Sequence, residues 1–248
     1  MNYEEIKKQY EKTFEIYSDD RFEEIISIND LDKIVRCYEN FEYCHQNGLK
    51  FNTRSRCKKR YCPICNYYFK ARKYFEVIEK IEKISDKYLM FSLTLNGRNV
   101  EIDCEKVQKE MKENNEKFGK LIKKSFFKNI VKGYLKVVEL VYIPERNNFL
   151  PHLHIILFTI RGAYKKFKMN EIRDKISVEW EKLKGEKLNT QFKRIGESKI
   201  KKTISYFTTS KKKRLINFFY LDKEVLMVYL KSMRNKKLYS WSRSKNMS

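Results

Sequence analysis

Apolar positions recur every three or four residues along parts of this chain and crowd together or alternate along others. From Asn66 to about Lys87, Tyr68, Phe69, Ala71, Phe75, Ile78, Ile81 and Ile84 keep a helical period. YLMFSLTLNG (Tyr88–Gly97) reads as a strand closing on an Asn-Gly turn signal. A long amphipathic helix is expected from Asp103 to about Lys128, followed by a strand over Gly133–Ile143, a polar loop PERNNFL and a strand in PHLHIILF. Further helices are expected over 169–184, from Ser198 to about Lys211 and from Asp222 to about Met233, with a strand at Asn189–Ile195. Residues 1–30 read as helical with mixed charge, and residues 31–66 show no clean period. No internal repeat stands out. The alternation β-α-β-β-α-β-α predicts an α+β fold with an antiparallel sheet flanked by helices. The same pattern divides the chain into an N-terminal helical and cysteine-rich region (1–86), a core (87–215), and a C-terminal helix with a basic tail (216–248).

Composition adds a partner to this picture. With 248 residues, 42% of them hydrophobic, the chain can bury a real core. Lys and Arg number 55 against 32 acids, a formal charge of +23 with aromatic residues interleaved, which is the electrostatic footprint of a nucleic-acid binder. The basic residues are spread along the chain, with no amphipathic anchor, so membrane attachment is not expected. The opening MNYEEIKKQYEKTFEIY reads as a charged amphipathic helix rather than a secretory leader, and no apolar run approaches a membrane span. Six cysteines, two of them in a C-x-x-C, point to reduced thiols and a metal site, and so to a cytoplasmic location.

Two of the three histidines sit in the apolar run FLPHLHIILF. Residues two apart on a strand share a face, so His152 and His154 project together. The preceding strand carries a single acid, Glu139, and a hairpin would set it opposite the pair. A carboxylate in an apolar strand needs compensation, and a cation supplies it. Two imidazoles and one carboxylate leave positions open on a divalent ion, which can polarise and orient a phosphate.

In IGESKIKKTISYFTTSKKK, Ile200, Ile204 and Phe207 mark a buried helical stripe. Tyr206 then falls on the opposite, basic face with Lys199 and Lys202 near it, an exposed hydroxyl beside cations suited to phosphate. Cys57-x4-Cys62-x2-Cys65 sets three thiolates at zinc-ligand spacing, with Cys37, Cys44 and His45 as rivals for a fourth position. Such a knuckle would hold Arg54, Arg56, Lys58, Lys59 and Arg60 toward DNA phosphates. Cys104 is expected to be a lone structural thiol.

CKKRYCPICN (57–66), FSLTLNGRNV (91–100), KGYLKVVELVY…LPHLHIILF (132–158) and ISYFTT (204–209), in this order, resemble the replication initiator (Rep) proteins of rolling-circle plasmids, within the HUH (histidine–hydrophobe–histidine) endonuclease superfamily. The likeness covers about residues 33 to 242. It implies a ferredoxin/RRM-like HUH core with a zinc-knuckle-like extension, and an origin-specific single-strand DNA nickase and strand transferase. His152, His154 and Glu139 would bind Mg²⁺ or Mn²⁺, and Tyr206 would form a 5′-phosphotyrosine, leaving a 3′-hydroxyl to prime synthesis. Thr94 and Asn96 fall in the first motif, and Cys37 matches a family cysteine, which favours it as the fourth zinc ligand. The implied partners are single-stranded or supercoiled plasmid origin DNA, with host helicase and polymerase possible. Two positions depart from the pattern: Lys202 stands where many relatives carry a glutamate, and Thr209 where a lysine often follows, with Lys211 the nearest substitute. Those departures keep open a zinc-stabilised nucleic-acid-binding protein without catalysis. A single-tyrosine HUH transposase is a third reading.

Overall fold

The run that crowds apolar residues most densely becomes the centre of a sheet. The computed structural model of the chain describes residues 3–161, 168–209 and 222–242. Its elements follow in the order α1 (Tyr3–Tyr17), α2 (Ile28–Gln46), α3 (Pro63–Glu82), β1 (Tyr88–Asn96), α4 (Cys104–Leu121), α5 (Ser125–Ile130), β2 (Val131–Ile143), β3 (Asn148–Ile160), α6 (Met169–Lys184), β4 (Thr190–Ile195), α7 (Ile200–Thr209), α8 (Lys223–Met233) and β5 (Tyr239–Trp241). The strands pair antiparallel throughout, in the order β4-β1-β3-β2-β5. The α+β class with a helix-flanked antiparallel sheet is therefore as the pattern predicts.

Both faces of β3 are covered, which is why FLPHLHIILF reads as a continuous apolar run and not as an alternation. Phe149, Leu153, Ile155 and Leu157 pack with Phe91, Leu93 and Leu95 of β1, Met111 and Phe118 of α4, Trp180 of α6 and Leu226 of α8. The same apolar cluster extends to Ile6, Ile16 and Ile34 of the N-terminal helices. On the other face, Ile156 and Phe158 pack with Val77, Ile78 and Ile81 of α3 and Ile204 of α7.

Four local expectations change. α2 occupies part of the stretch that lacked a clean period: Ser27 caps it by accepting from the Asp30 N–H, and its fully buried positions are only Ile34, Cys37 and Tyr38. The expected helix 103–128 is two helices, because Lys124 adopts an extended conformation at the start of α5. The basic tail contributes the short edge strand β5, paired with Leu135–Val137. Three residues give no readable period. Within α3 the buried stripe is Val77, Ile78 and Ile81 with Tyr74 packed against it, whereas Phe75 is 67% exposed. Among the described residues no helix is long and apolar enough to cross a membrane.

Candidate active site

β2 and β3 form a hairpin around Pro144–Arg146, with Asn147 in the left-handed conformation at its end. The register sets Glu139 opposite His152 and Val137 opposite His154. On β3, His152 and His154 share a face with Ile156 and Phe158, so they extend the α3/α7 side of the sheet with polar atoms. Glu139 Oε2 lies 2.5 Å from His152 Nε2 and 2.6 Å from His154 Nε2, and the two imidazole nitrogens are 2.9 Å apart. Three donors on one face of an octahedron with bonds of about 2.1 Å would stand about 3.0 Å apart. Glu139, His152 and His154 therefore fit one divalent cation, each through a single donor atom. Burial alone would raise the Glu139 carboxyl, but hydrogen bonds from both histidines hold it well below the usual carboxylate range.

Neighbouring strands and helices set the orientation of these donors. On β1, Thr94 is paired with His154 in register, and its Oγ1 stands 3.1 Å from His154 Nδ1. With a cation bound, a proton on Nδ1 donated to that hydroxyl would leave the Nε2 lone pair for the cation in place of the proton that Nε2 otherwise shares with Glu139. His152 Nδ1, by contrast, is buried and has no hydrogen-bond partner among the described residues. Asn96 contributes through its backbone: its carbonyl accepts from Trp180 Nε1 at 2.9 Å. From α7, the Tyr206 ring meets the His154 ring edge to face, with centroids 5.6 Å apart. Tyr206 is half-buried against the α3/α7 apolar cluster, so the open polar face expected for it is instead the wall of this site. Tyr229 of α8 and Tyr239 of β5 lie within electrostatic reach of Glu139; burial and that carboxylate raise both hydroxyls, Tyr239 to about 12. Lys70 of α3 also lies within reach of Glu139; burial pulls its ammonium down from the usual lysine range and the carboxylate opposes that pull.

A second cluster gathers where α2 meets the start of α3. Cys37, Cys57, Cys62 and Cys65 bring their sulfurs together. Cys37 and Cys65 are 3.7 Å apart, Cys57 and Cys65 3.5 Å, and Cys62 and Cys37 3.9 Å. A tetrahedron with metal–sulfur bonds of about 2.3 Å has edges of about 3.8 Å, so four thiolates fit one tetrahedral ion. Hydrogen bonds from Cys37, Cys57 and Cys62 hold the Cys65 thiol well below its ordinary range, and the Lys58 N–H donates to the same sulfur. Cys44 lies outside the cluster, and His45 stacks on the Tyr3 ring with centroids 3.9 Å apart. Cys104 accepts from Gln108 Nε2 at 3.3 Å, away from both clusters.

The basic residues divide by what already holds them. Arg54 and Lys58 are exposed, the latter with φ of 60°. Arg56 lies over the Tyr68 ring, and Arg60 lies over Phe69 while donating to the Lys236 carbonyl at 2.8 Å. The Lys59 ammonium pairs with Asp30 at 2.7 Å, tying the cysteine-rich arm to α2. Lys199 and Lys202 are exposed at the start of α7, and Lys211 lies outside the described residues.

The antiparallel sheet thus presents paired histidines and an acid on its central hairpin, with a tyrosine laid against them from a helix. The sequence model of the replication protein family matches residues 48–244, which take in Glu139, His152, His154, Tyr206 and three of the four clustered cysteines, Cys57, Cys62 and Cys65, while Cys37 lies ahead of the matched stretch. The chain belongs to that family, the Rep proteins of rolling-circle plasmids. Protein rep of Staphylococcus aureus is 29% identical over 157 residues, 61% of this chain and 66% of that protein. Protein rep of a Bacillus species is 27% identical over 157 residues, covering 61% of this chain and 48% of the relative. For Protein rep of Lentilactobacillus hilgardii the identity is 25% over 169 residues, 64% and 50% of the two chains. The chain thus spans two thirds or less of the length of these relatives. No solved structure matches it at a significant level.

Proposed function

We propose that the chain nicks one strand of plasmid origin DNA and transfers it, starting rolling-circle replication in the cytoplasm through a 5′-phosphotyrosine on Tyr206. The observation that carries this reading is the Tyr206 ring against His154, on the same sheet face as three convergent donor atoms. Glu139, His152 and His154 would hold Mg²⁺ or Mn²⁺, which when bound polarises a phosphate oxygen and orients the phosphodiester. Tyr206 loses its phenolic proton to solvent, and its oxygen forms the new bond to phosphorus. The bond from phosphorus to the 3′-oxygen breaks, and that oxygen takes up a proton to become the primer hydroxyl. Cys37, Cys57, Cys62 and Cys65 would hold a structural Zn²⁺. Arg54, Arg56, Lys58 and Arg60 on the knuckle arm, with Lys199, Lys202 and Lys211 beside α7, would bind the DNA backbone. Host helicase and polymerase would act on the opened strand.

A random-sequence single-stranded oligonucleotide pool, incubated with the protein and Mn²⁺ and resolved on a denaturing gel, tests the reading. A covalent adduct is expected from the wild type. EDTA should abolish it, and so should Tyr206→Phe, which removes one hydroxyl while DNA affinity stays unchanged. An adduct that persists in Tyr206→Phe moves the nucleophile to another tyrosine. No adduct with any DNA leaves a binding protein that has kept the fold without the chemistry.

A further inference from the structure

α3 starts at the cysteine cluster, with Cys62 as its cap residue and Cys65 in its first turn, and continues over the sheet face that carries the histidines. Its sheet-facing stripe is Tyr74, Val77, Ile78 and Ile81. One turn before Tyr74, that same stripe holds Lys70 (i, i+4, i+7, i+11). A position that elsewhere on the helix is apolar is thus occupied by an ammonium, on the segment between the thiolate cluster and Glu139. Lys70 is only partly exposed, and its charge acts on the Glu139 carboxylate.

Other desolvated lysines here have a direct side-chain partner: Lys184 pairs with Glu110 at 2.7 Å, Lys59 with Asp30 at 2.7 Å and Lys73 with Glu76 at 2.5 Å, and Lys136 donates to Asn115 Oδ1 and lies over the Phe118 ring. Among the described residues Lys70 has no ion pair of this kind. Glu139, the acid whose charge acts on it, already has Oε2 taken by both histidine nitrogens. A desolvated cation without a partner is costly to keep, and an anion brought by a ligand removes the cost. The ligand that the nickase reading sends to this face is a phosphodiester.

We propose that Lys70 is a further catalytic residue: its ammonium binds a non-bridging oxygen of the scissile phosphate, from α3, while Tyr206 attacks from α7. The inference rests on the nickase reading. In the attack, the negative charges of the phenolate and of the phosphodiester merge on one phosphorus centre, and a fixed cation stabilises that crowded state more than the separated reactants. Lys70 takes up and gives up no proton in the step. The phenolate oxygen gains the bond to phosphorus and the 3′-oxygen leaves with the electron pair.

The test uses an oligonucleotide recovered from the wild-type adduct, in single-turnover nicking with Mn²⁺, alongside calorimetric titration of Mn²⁺ into the DNA-free protein. Lys70→Met keeps the aliphatic stem and removes only the charge. It should slow nicking by about 100-fold, the usual effect of deleting one such donor. Its Mn²⁺ affinity should be unchanged or higher, because a like charge near the cation is gone. Lys70→Arg should restore most of the rate. Nicking by Lys70→Met at the wild-type rate overturns the proposal. So does a parallel loss of Mn²⁺ affinity, which would make Lys70 a prop for Glu139. If Lys70→Met does not fold, Lys70→Gln is read in the same way. A wild type that gives no adduct defeats the nickase reading itself, an outcome separable from failure of the Lys70 assignment alone.

Discussion

Thr94 shows how one hydroxyl can set the chemistry of a site it does not enter. The two histidines differ in what holds their outer nitrogens: His154 Nδ1 has Thr94 Oγ1 at 3.1 Å, whereas His152 Nδ1 is buried without a hydrogen bond. Both rings meet Glu139 through Nε2, but among the described residues only His154 has its outer nitrogen held by a hydrogen bond as well. Thr94→Val preserves shape and removes that bond. Mn²⁺ affinity should fall roughly 10–100-fold, as for other outer partners of metal-binding histidines. Calorimetric titration of Mn²⁺ checks this without any DNA, and equal affinities would remove Thr94 from the site's support. Lys70 differs in kind, because its effect should appear in the rate with the Mn²⁺ affinity retained.

At the scale of elements, α4 and α6 share a buried ion network that fixes the β-edge beside His152. The Lys184 side chain is fully buried and reaches Glu110 at 2.7 Å, Glu113 at 3.1 Å and Asn114 Oδ1 at 2.9 Å. Asn114 Nδ2 and the Gly97 N–H both donate to the carbonyl of Pro151, the residue before His152. Gly97 sits so close that a Cβ there would come within 2.6 Å of Glu110 Oε1 and 2.7 Å of the Pro151 carbonyl oxygen. Arg98 closes the network through Glu110, Glu113, Glu186 and the Lys184 carbonyl. Lys184→Met leaves Glu110 buried with only the longer ion pair to Arg98, at 3.4 Å, and should cost roughly 3 kcal/mol in urea denaturation. Lys184→Met with Glu110→Leu should recover part of that loss, and no recovery would show that packing rather than charge sets the cost. The hairpin, its facing pair and the three central strands were legible in the sequence, because strand parity and a short loop fix which side chains share a face. The rest depended on contacts far apart in the chain. Asp30 takes Lys59 across 29 positions, Lys70 gains its meaning from Glu139, and Phe75 looked buried only because apolar residues lie on both sides of α3. Tyr206 was legible by position on α7, but its helix alone could not say that His154 stands opposite.

The molecule as a whole joins a charge of +23 to two clusters of side chains that, among the described residues, could hold a metal ion, with α3 starting at one and packing on the sheet face that carries the other. The cysteine arm is fastened at several points: Arg56 lies over Tyr68, Arg60 over Phe69 and against the Lys236 carbonyl, and Lys59 reaches Asp30. Arg54 and Lys58 extend beyond these fastenings into solvent. Their role should therefore be the binding of backbone phosphates, separable from the chemistry at Tyr206. Each phosphate contact on single-stranded DNA contributes about 0.7 to the slope of log affinity against log salt. Arg54→Gln with Lys58→Gln should lower that slope by about 1.4 and weaken binding at low salt, while the nicking rate on saturating oligonucleotide stays the same. Cys62→Ser should act differently. Cys62 is fully buried, belongs to the cysteine cluster and stands at the start of α3, so losing it loosens the beginning of the helix that carries Lys70 as well as the arm. Binding and nicking rate should then fall together. Fluorescence anisotropy across a salt series, with single-turnover nicking on the same oligonucleotide, reads both quantities. If Arg54→Gln with Lys58→Gln slows nicking at saturation, the arm takes part in the chemical step. If Cys62→Ser keeps the wild-type rate, α3 does not depend on the cysteine cluster to hold its place on the sheet face that carries the histidines.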